Sequence, residues 1–196
     1  MNIGVDFDGV LFDTESMFRA ASQVYNLRFG KKMVQSEKIR FQERFDWTLD
    51  QSHHFINSVM LDIQREGAVM PLAKQVIKAL SKKHNVYAIT GRGVTLPEEI
   101  EVTEKRLKDE NIKFKKVVYS AGDKLIPCKE LKIDLMIDDL YSNVTYLAEN
   151  GVKCLYYRDN INDSYSHSNI CVVRDWGDIA VELVKMGLIE VGDIVI

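Results

Sequence analysis

Short apolar runs alternate with amphipathic stretches along most of the chain. Runs at 3–5, 85–90, 117–119, 133–137, 152–157 and 170–173 are rich in β-branched and aromatic residues and are bounded by polar or glycine-bearing segments, which predicts strands. Between them, apolar residues recur at spacings of three and four. Met17, Ala20, Ala21, Val24 and Tyr25 predict a helix that Asp13 or Thr14 can cap, and Val76, Ile77 and Leu80 mark another over 72–83. Further helices are expected over 97–111 with Pro97 in the first turn, up to Leu131, up to a stop at Asn150-Gly151, and over 176–186. The segment 31–66 differs: it has no proline and no convincing strand. Its apolar residues (among them Phe41, Phe45, Trp47, Phe55 and Ile63) suit two or three helices.

Strands alternating with helices of ten to fifteen residues imply right-handed crossovers. The expected fold class is therefore α/β: a Rossmann-like parallel sheet with helices on both faces, and a small all-helical insert after the first strand. Residues 1–15 and 68–196 form the α/β part and 16–67 the insert. The apolar tail, 188–196, is expected to be a C-terminal strand or an interface segment, which admits a homodimer.

Composition narrows the function. The 196 residues are 46% hydrophobic and 28% charged with a formal net charge of -3, an ordinary globular balance. No basic block stands out beyond pairs such as Lys31-Lys32 and Lys115-Lys116, so polymeric nucleic acid is not an expected partner. No apolar run approaches the roughly 18 residues that span a bilayer, and no leader pattern opens the chain, so a cytoplasmic protein without a membrane partner is expected. Cys128, Cys154 and Cys171 lack disulfide or zinc spacing, and the four histidines lie apart from any second ligand. Cys154 and Cys171 read as buried strand residues.

The chemistry concentrates where strands end. The first strand closes on Asp6 and Asp8, then Gly9, and a second acidic pair, Asp138 and Asp139, follows the run 133–137. Unpaired buried carboxylates cost several kcal/mol, about the penalty of any buried ion, so something positive belongs beside them. Thr90 and Lys124 also follow strand ends. In a parallel sheet these all face the crevice where ligands bind. Acidic oxygens suit a small hard cation, Mg2+ over Ca2+ because the protein ligands are few, while a hydroxyl and an ammonium complete a pocket for a phosphoryl group.

DFDGVLFDT at 6–14, AITGR at 88–92, Lys124 in GDK and MIDD at 136–139 resemble, in order and spacing, the four motifs of the haloacid dehalogenase superfamily of phosphohydrolases. The helical insert resembles that superfamily's small cap. GDK before KELKIDLMIDD, with Arg174-Asp175-Trp176, is similar to its 5'-nucleotidase and deoxyribonucleotidase group. The resemblance implies a Mg2+-dependent phosphomonoesterase working through an aspartyl-phosphate. Asp6 would be nucleophile and metal ligand, Asp8 the general acid/base with its carbonyl on the metal, and Asp139 or Asp138 the further ligand. Thr90, Gly91 and Lys124 would hold the phosphoryl group, with Arg92 in reach of it; Lys129 is a second candidate for the lysine post. Phe41, Arg44, Phe45 and Trp47 of the cap are candidate substrate contacts. The implied substrate is a small phosphorylated metabolite, first a nucleoside monophosphate. A sugar phosphatase, a phosphomutase or a non-catalytic phospho-ligand-binding protein are the alternatives.

Overall fold

The computed structural model describes residues 1–34, 44–158 and 167–195. The described strands, in chain order, are β1 (Asn2–Val5), β2 (Asn85–Ile89), β3 (Lys116–Val118), β4 (Leu135–Asp138), β5 (Lys153–Tyr157) and β6 (Ile170–Val173). They form one sheet in the order β3-β2-β1-β4-β5-β6, with every neighbouring pair parallel. The described α-helices are α1 (Thr14–Asn26), α2 (Leu49–Glu66), α3 (Ala73–Ser81), α4 (Glu98–Asp109), α5 (Leu125–Glu130), α6 (Tyr141–Glu149) and α7 (Trp176–Lys185). No helix among the described residues is long and apolar enough to cross a membrane.

Strands buried on both faces need apolar residues at successive positions, and these have them. Ile3, Val5, Val86, Ala88, Leu135, Ile137, Leu155 and Val173 pack with residues of α3, α4 and α7 in the larger cluster. Tyr87, Ile89, Met136, Cys154 and Tyr156 pack on the other face with Leu125 and Cys128 of α5 and with Val144 and Leu147 of α6. Gly4 lies opposite Met136, whose Sδ would stand 2.6 Å from any Cβ added there, so the central strand stays small where its neighbour is large. Trp176 is fully buried and donates its indole N–H to the Val10 carbonyl at 2.8 Å, tying the start of α7 to the loop after β1.

A third cluster lies apart from the sheet. Phe18 and Tyr25 of α1 pack on Phe55 and Ile63 of α2, with Phe29, Trp47 and Ile56 against them. Asp13 caps α1, and Thr48 with Gln51 forms a capping box on α2. The chain leaves and re-enters the α/β part through paired backbone: Asp13 N–H donates to Ala68 and Met70 N–H to Leu11, at 2.8 and 2.9 Å. Arg106 of α4 binds the carbonyls of Arg65 and Gly67 at the end of α2, a favourable place for a cation.

Two expectations are corrected. The described part of the tail is not a strand. Leu188 and Ile189 join the larger core, a 3-10 turn follows at Val191–Asp193, and Lys83 pairs with Glu190 and Asp193 at 3.1 and 3.2 Å. Cys171 is half-buried on the edge strand β6, which has a neighbouring strand on one side only. Of the helices expected over 31–66, α2 is described, and Phe41 lies outside the described residues.

Candidate active site

The sheet order places β1 beside β4, the point where successive crossovers leave in opposite directions and a crevice opens at the carboxyl ends. Val5 is in register with Ile137, and the Asp6 N–H donates to the Ile137 carbonyl at 3.0 Å, so the acids that follow the two strands meet. The carboxylate oxygens of Asp6, Asp138 and Asp139 lie within 4.8 Å of one another. Lys124, at the N-terminal end of α5, sends its ammonium between two of them, 2.9 Å from Asp6 and 2.7 Å from Asp138. Lys129 is exposed on the same helix and makes none of these contacts.

The two later acids differ. Asp138 is fully buried and its oxygens are taken: Lys124 donates to Oδ2, the Leu140 N–H to Oδ1 at 2.8 Å, and Asn143 Nδ2 stands 3.3 Å from both. Asp139 is half-buried and receives no hydrogen bond from a described residue. Gly9 explains its approach to the loop. With φ +75° the residue sits in the left-handed region, and a Cβ there would lie 2.1 Å from Asp139 Oδ2.

Three carboxylates face one ammonium, and Asp6 and Asp139 show the imbalance. Burial, opposed by Lys124 and reinforced by Asp138 and Asp8, pushes Asp6 up to about 7. Burial and then the charges of Asp6 and Asp138 push Asp139 well above the carboxylate range. Lys124 is raised: burial alone would lower it, but Asp138 and Asp6 outweigh that. A divalent cation would supply the two positive charges the cluster lacks, and oxygen donors from Asp6 and Asp139 match the preference of Mg2+. The residues therefore fit the ion.

Thr90 is buried, and its hydroxyl accepts the Arg92 N–H at 3.2 Å. Gly91 is exposed, with nothing within 4 Å of a Cβ built on it. Arg92, expected within reach of phosphate, instead turns away. Its guanidinium binds both oxygens of Asp8, at 2.9 and 2.7 Å, beneath the rings of Phe7 and Phe12. Burial would raise the Asp8 carboxyl, but Arg92 outweighs it and holds Asp8 below its ordinary value. Asn143, which meets Asp138, was not singled out by motif.

The cap candidates separate. Phe45 stacks on Trp47 with ring centroids 5.2 Å apart; Trp47 packs on Tyr25 and Phe55 and donates its indole N–H to Asn26. Trp47 joins the cluster of α1 and α2, and Phe45 lies against it. Arg44 is 4% exposed, and among the described residues its Nε and Nη1 have no hydrogen-bond partner.

Comparison with known structures matches the fold. A haloacid dehalogenase-like family hydrolase from Streptococcus pneumoniae superposes with a TM-score of 0.66 at 14% identity, over 92% of this chain and 97% of that one. A hydrolase of the same superfamily from Deinococcus radiodurans, crystallised with bound phosphate and sodium, gives 0.64 at 11% identity over 96% of both. The chain has the haloacid dehalogenase-like hydrolase fold. In sequence it is similar to a nucleotidase from Clostridium acetobutylicum, 21% identical over 180 residues that make up 91% of each chain. No protein-family model matches.

Proposed function

We propose that the protein is a Mg2+-dependent phosphomonoesterase acting through a phosphorylated Asp6, with a nucleoside monophosphate as its substrate class. The observation that carries this reading is the Asp6–Lys124–Asp138 arrangement at the β1/β4 crevice with Asp139 beside it. A carboxylate held by an ammonium at 2.9 Å is oriented for attack on phosphorus and can shed its negative charge into the new bond. Asp6 attacks, the ester P–O bond breaks, and the leaving oxygen takes a proton from the Asp8 carboxyl. Water then attacks the phosphorus, its proton passes to Asp8, and the bond to Asp6 breaks to release inorganic phosphate.

Asp6, the Asp8 carbonyl and Asp139 would hold Mg2+, which when bound supplies positive charge to the phosphoryl oxygens. Asp138 keeps Lys124 in place rather than ligating the ion, since its oxygens are already engaged. Thr90 and Gly91 hold the phosphoryl group with Lys124. Residues 16–67 act as the cap, and Arg44 is the cap side chain with donors to spare for the rest of the substrate. The similarity to the clostridial nucleotidase supports the substrate class. Phosphate release measured over nucleoside monophosphates, deoxynucleotides and sugar phosphates with Mg2+ tests it. A preference for nucleotides is expected; a preference for sugar phosphates would move the assignment to a metabolite phosphatase.

A further inference from the structure

Arg92 is a costly side chain to bury, and the fold commits several others to holding it. Its side chain has no exposed surface, and all three guanidinium nitrogens are engaged. Nε and Nη2 donate to Asp8, and Nη1 donates to the Thr103 hydroxyl at 2.9 Å. That hydroxyl donates in turn to the Glu99 carbonyl one turn back on α4, at 2.6 Å. The Glu99 carboxylate accepts the Gly93 N–H at 2.5 Å, next to Arg92 in the chain, and the amide of Gln64 from α2 at 3.2 Å. A continuous buried path thus runs from the cap helix to the carboxylate two residues after Asp6. A phosphate-binding arginine needs donors facing the crevice, and this one has each nitrogen turned to protein.

We propose that Arg92 is a positioning residue that fixes the Asp8 carboxylate to receive a proton from water in the second half-reaction, with Thr103, Glu99 and Gln64 setting its place from the cap side. The inference rests on the phosphohydrolase reading above. A planar guanidinium bound to both oxygens fixes the plane of the carboxylate as a single hydrogen bond cannot. The water oxygen bonds to phosphorus, the electrons of the P–O bond return to the Asp6 carboxylate, and the water proton reaches an Asp8 oxygen whose direction Arg92 has set. The first half-reaction does not need this with an aryl ester, because a phenolate of low basicity leaves unprotonated.

The test is rapid mixing of wild type, Arg92→Lys and Thr103→Val with p-nitrophenyl phosphate and Mg2+, following p-nitrophenol and, after acid quench, phosphoenzyme by intact mass. Arg92→Lys keeps the charge but loses the bidentate contact. It is expected to give a burst of p-nitrophenol, then turnover slowed at least about tenfold, with accumulated phosphoenzyme and no rise in KM. Thr103→Val should shift the same way by a smaller factor and decides the question if Arg92→Lys does not fold. A raised KM with unchanged kcat would make Arg92 a phosphate ligand, and wild-type kinetics in the folded variants would reduce it to packing; either overturns the proposal. Failure of the underlying reading looks different: wild type itself would give no Mg2+-dependent p-nitrophenol.

Discussion

Removing the divalent cation should make folding stability depend on pH in a defined direction. Asp6 moves from its ordinary 3.8 to about 7. That displacement corresponds to about 4 kcal/mol, at about 1.4 kcal/mol for each tenfold change in proton affinity. The folded-state value is raised, so the folded chain keeps a proton that the unfolded chain gives up. Chelated protein should therefore lose stability as pH climbs from about 4 to about 7 and change little from this source above that. A bound cation competes for the same oxygens. At pH 5 proton competition lowers the apparent cation affinity about a hundredfold relative to pH well above 7, about 3 kcal/mol of linked stability. For a chain of this length that is a Tm difference of roughly 5 to 10 °C. Differential scanning fluorimetry at pH 5 and 7.5, with EDTA or with saturating Mg2+, measures it. A larger Mg2+-induced rise in Tm at pH 7.5 is expected. An equal rise at both pH values, or none, would refute the view that Asp6 and Asp139 share a cation.

Three substitutions probe separate parts of the structure. Gly9→Ala forces a left-handed alanine against Asp139, and is expected to cost about 1–2 kcal/mol in stability while weakening Mg2+ activation at least about tenfold; an unchanged Mg2+ dependence would remove Asp139 as a ligand. Trp176→Phe leaves the buried Val10 carbonyl without its donor, and should lower stability in denaturant by about 1–3 kcal/mol with kcat preserved. Lys124→Met unpairs two buried carboxylates and should abolish turnover and cost about 3–5 kcal/mol, whereas Lys129→Met should change neither activity nor melting.

Most of the architecture was legible because its signals are local. The strand and helix periods, the cap on α1 and the Asn150-Gly151 stop reappear as β1–β6 and α1–α7. The candidate acids were also legible, since carboxylates at strand ends have no packing reason to be there. What the sequence left open depends on neighbours far along the chain. Asp138 and Asp139 are chemically alike, and only the contacts of Lys124, Leu140 and Asn143 with one of them separate the pair. Arg92 follows Thr90 and Gly91, the candidates for phosphate binding, yet Asp8, Phe7, Phe12 and Thr103 draw it inward. Glu99 could have been found: it shares a helical stripe with Val102, Thr103 and Leu107, all buried, so an acid there needed a partner. The strand alternative for the tail fails because Leu188 and Ile189 fill the core beside α7.

The role of Asp6 meets its most direct test in the phosphate-release rate of Asp6→Asn beside wild type, with Mg2+ and the best substrate of the screen, each variant checked for folding by circular dichroism. Loss of nucleophilic catalysis should lower kcat by at least about a thousandfold, and no phosphoenzyme should form on acid quench. Turnover within tenfold of wild type in the folded variant would contradict covalent catalysis by Asp6.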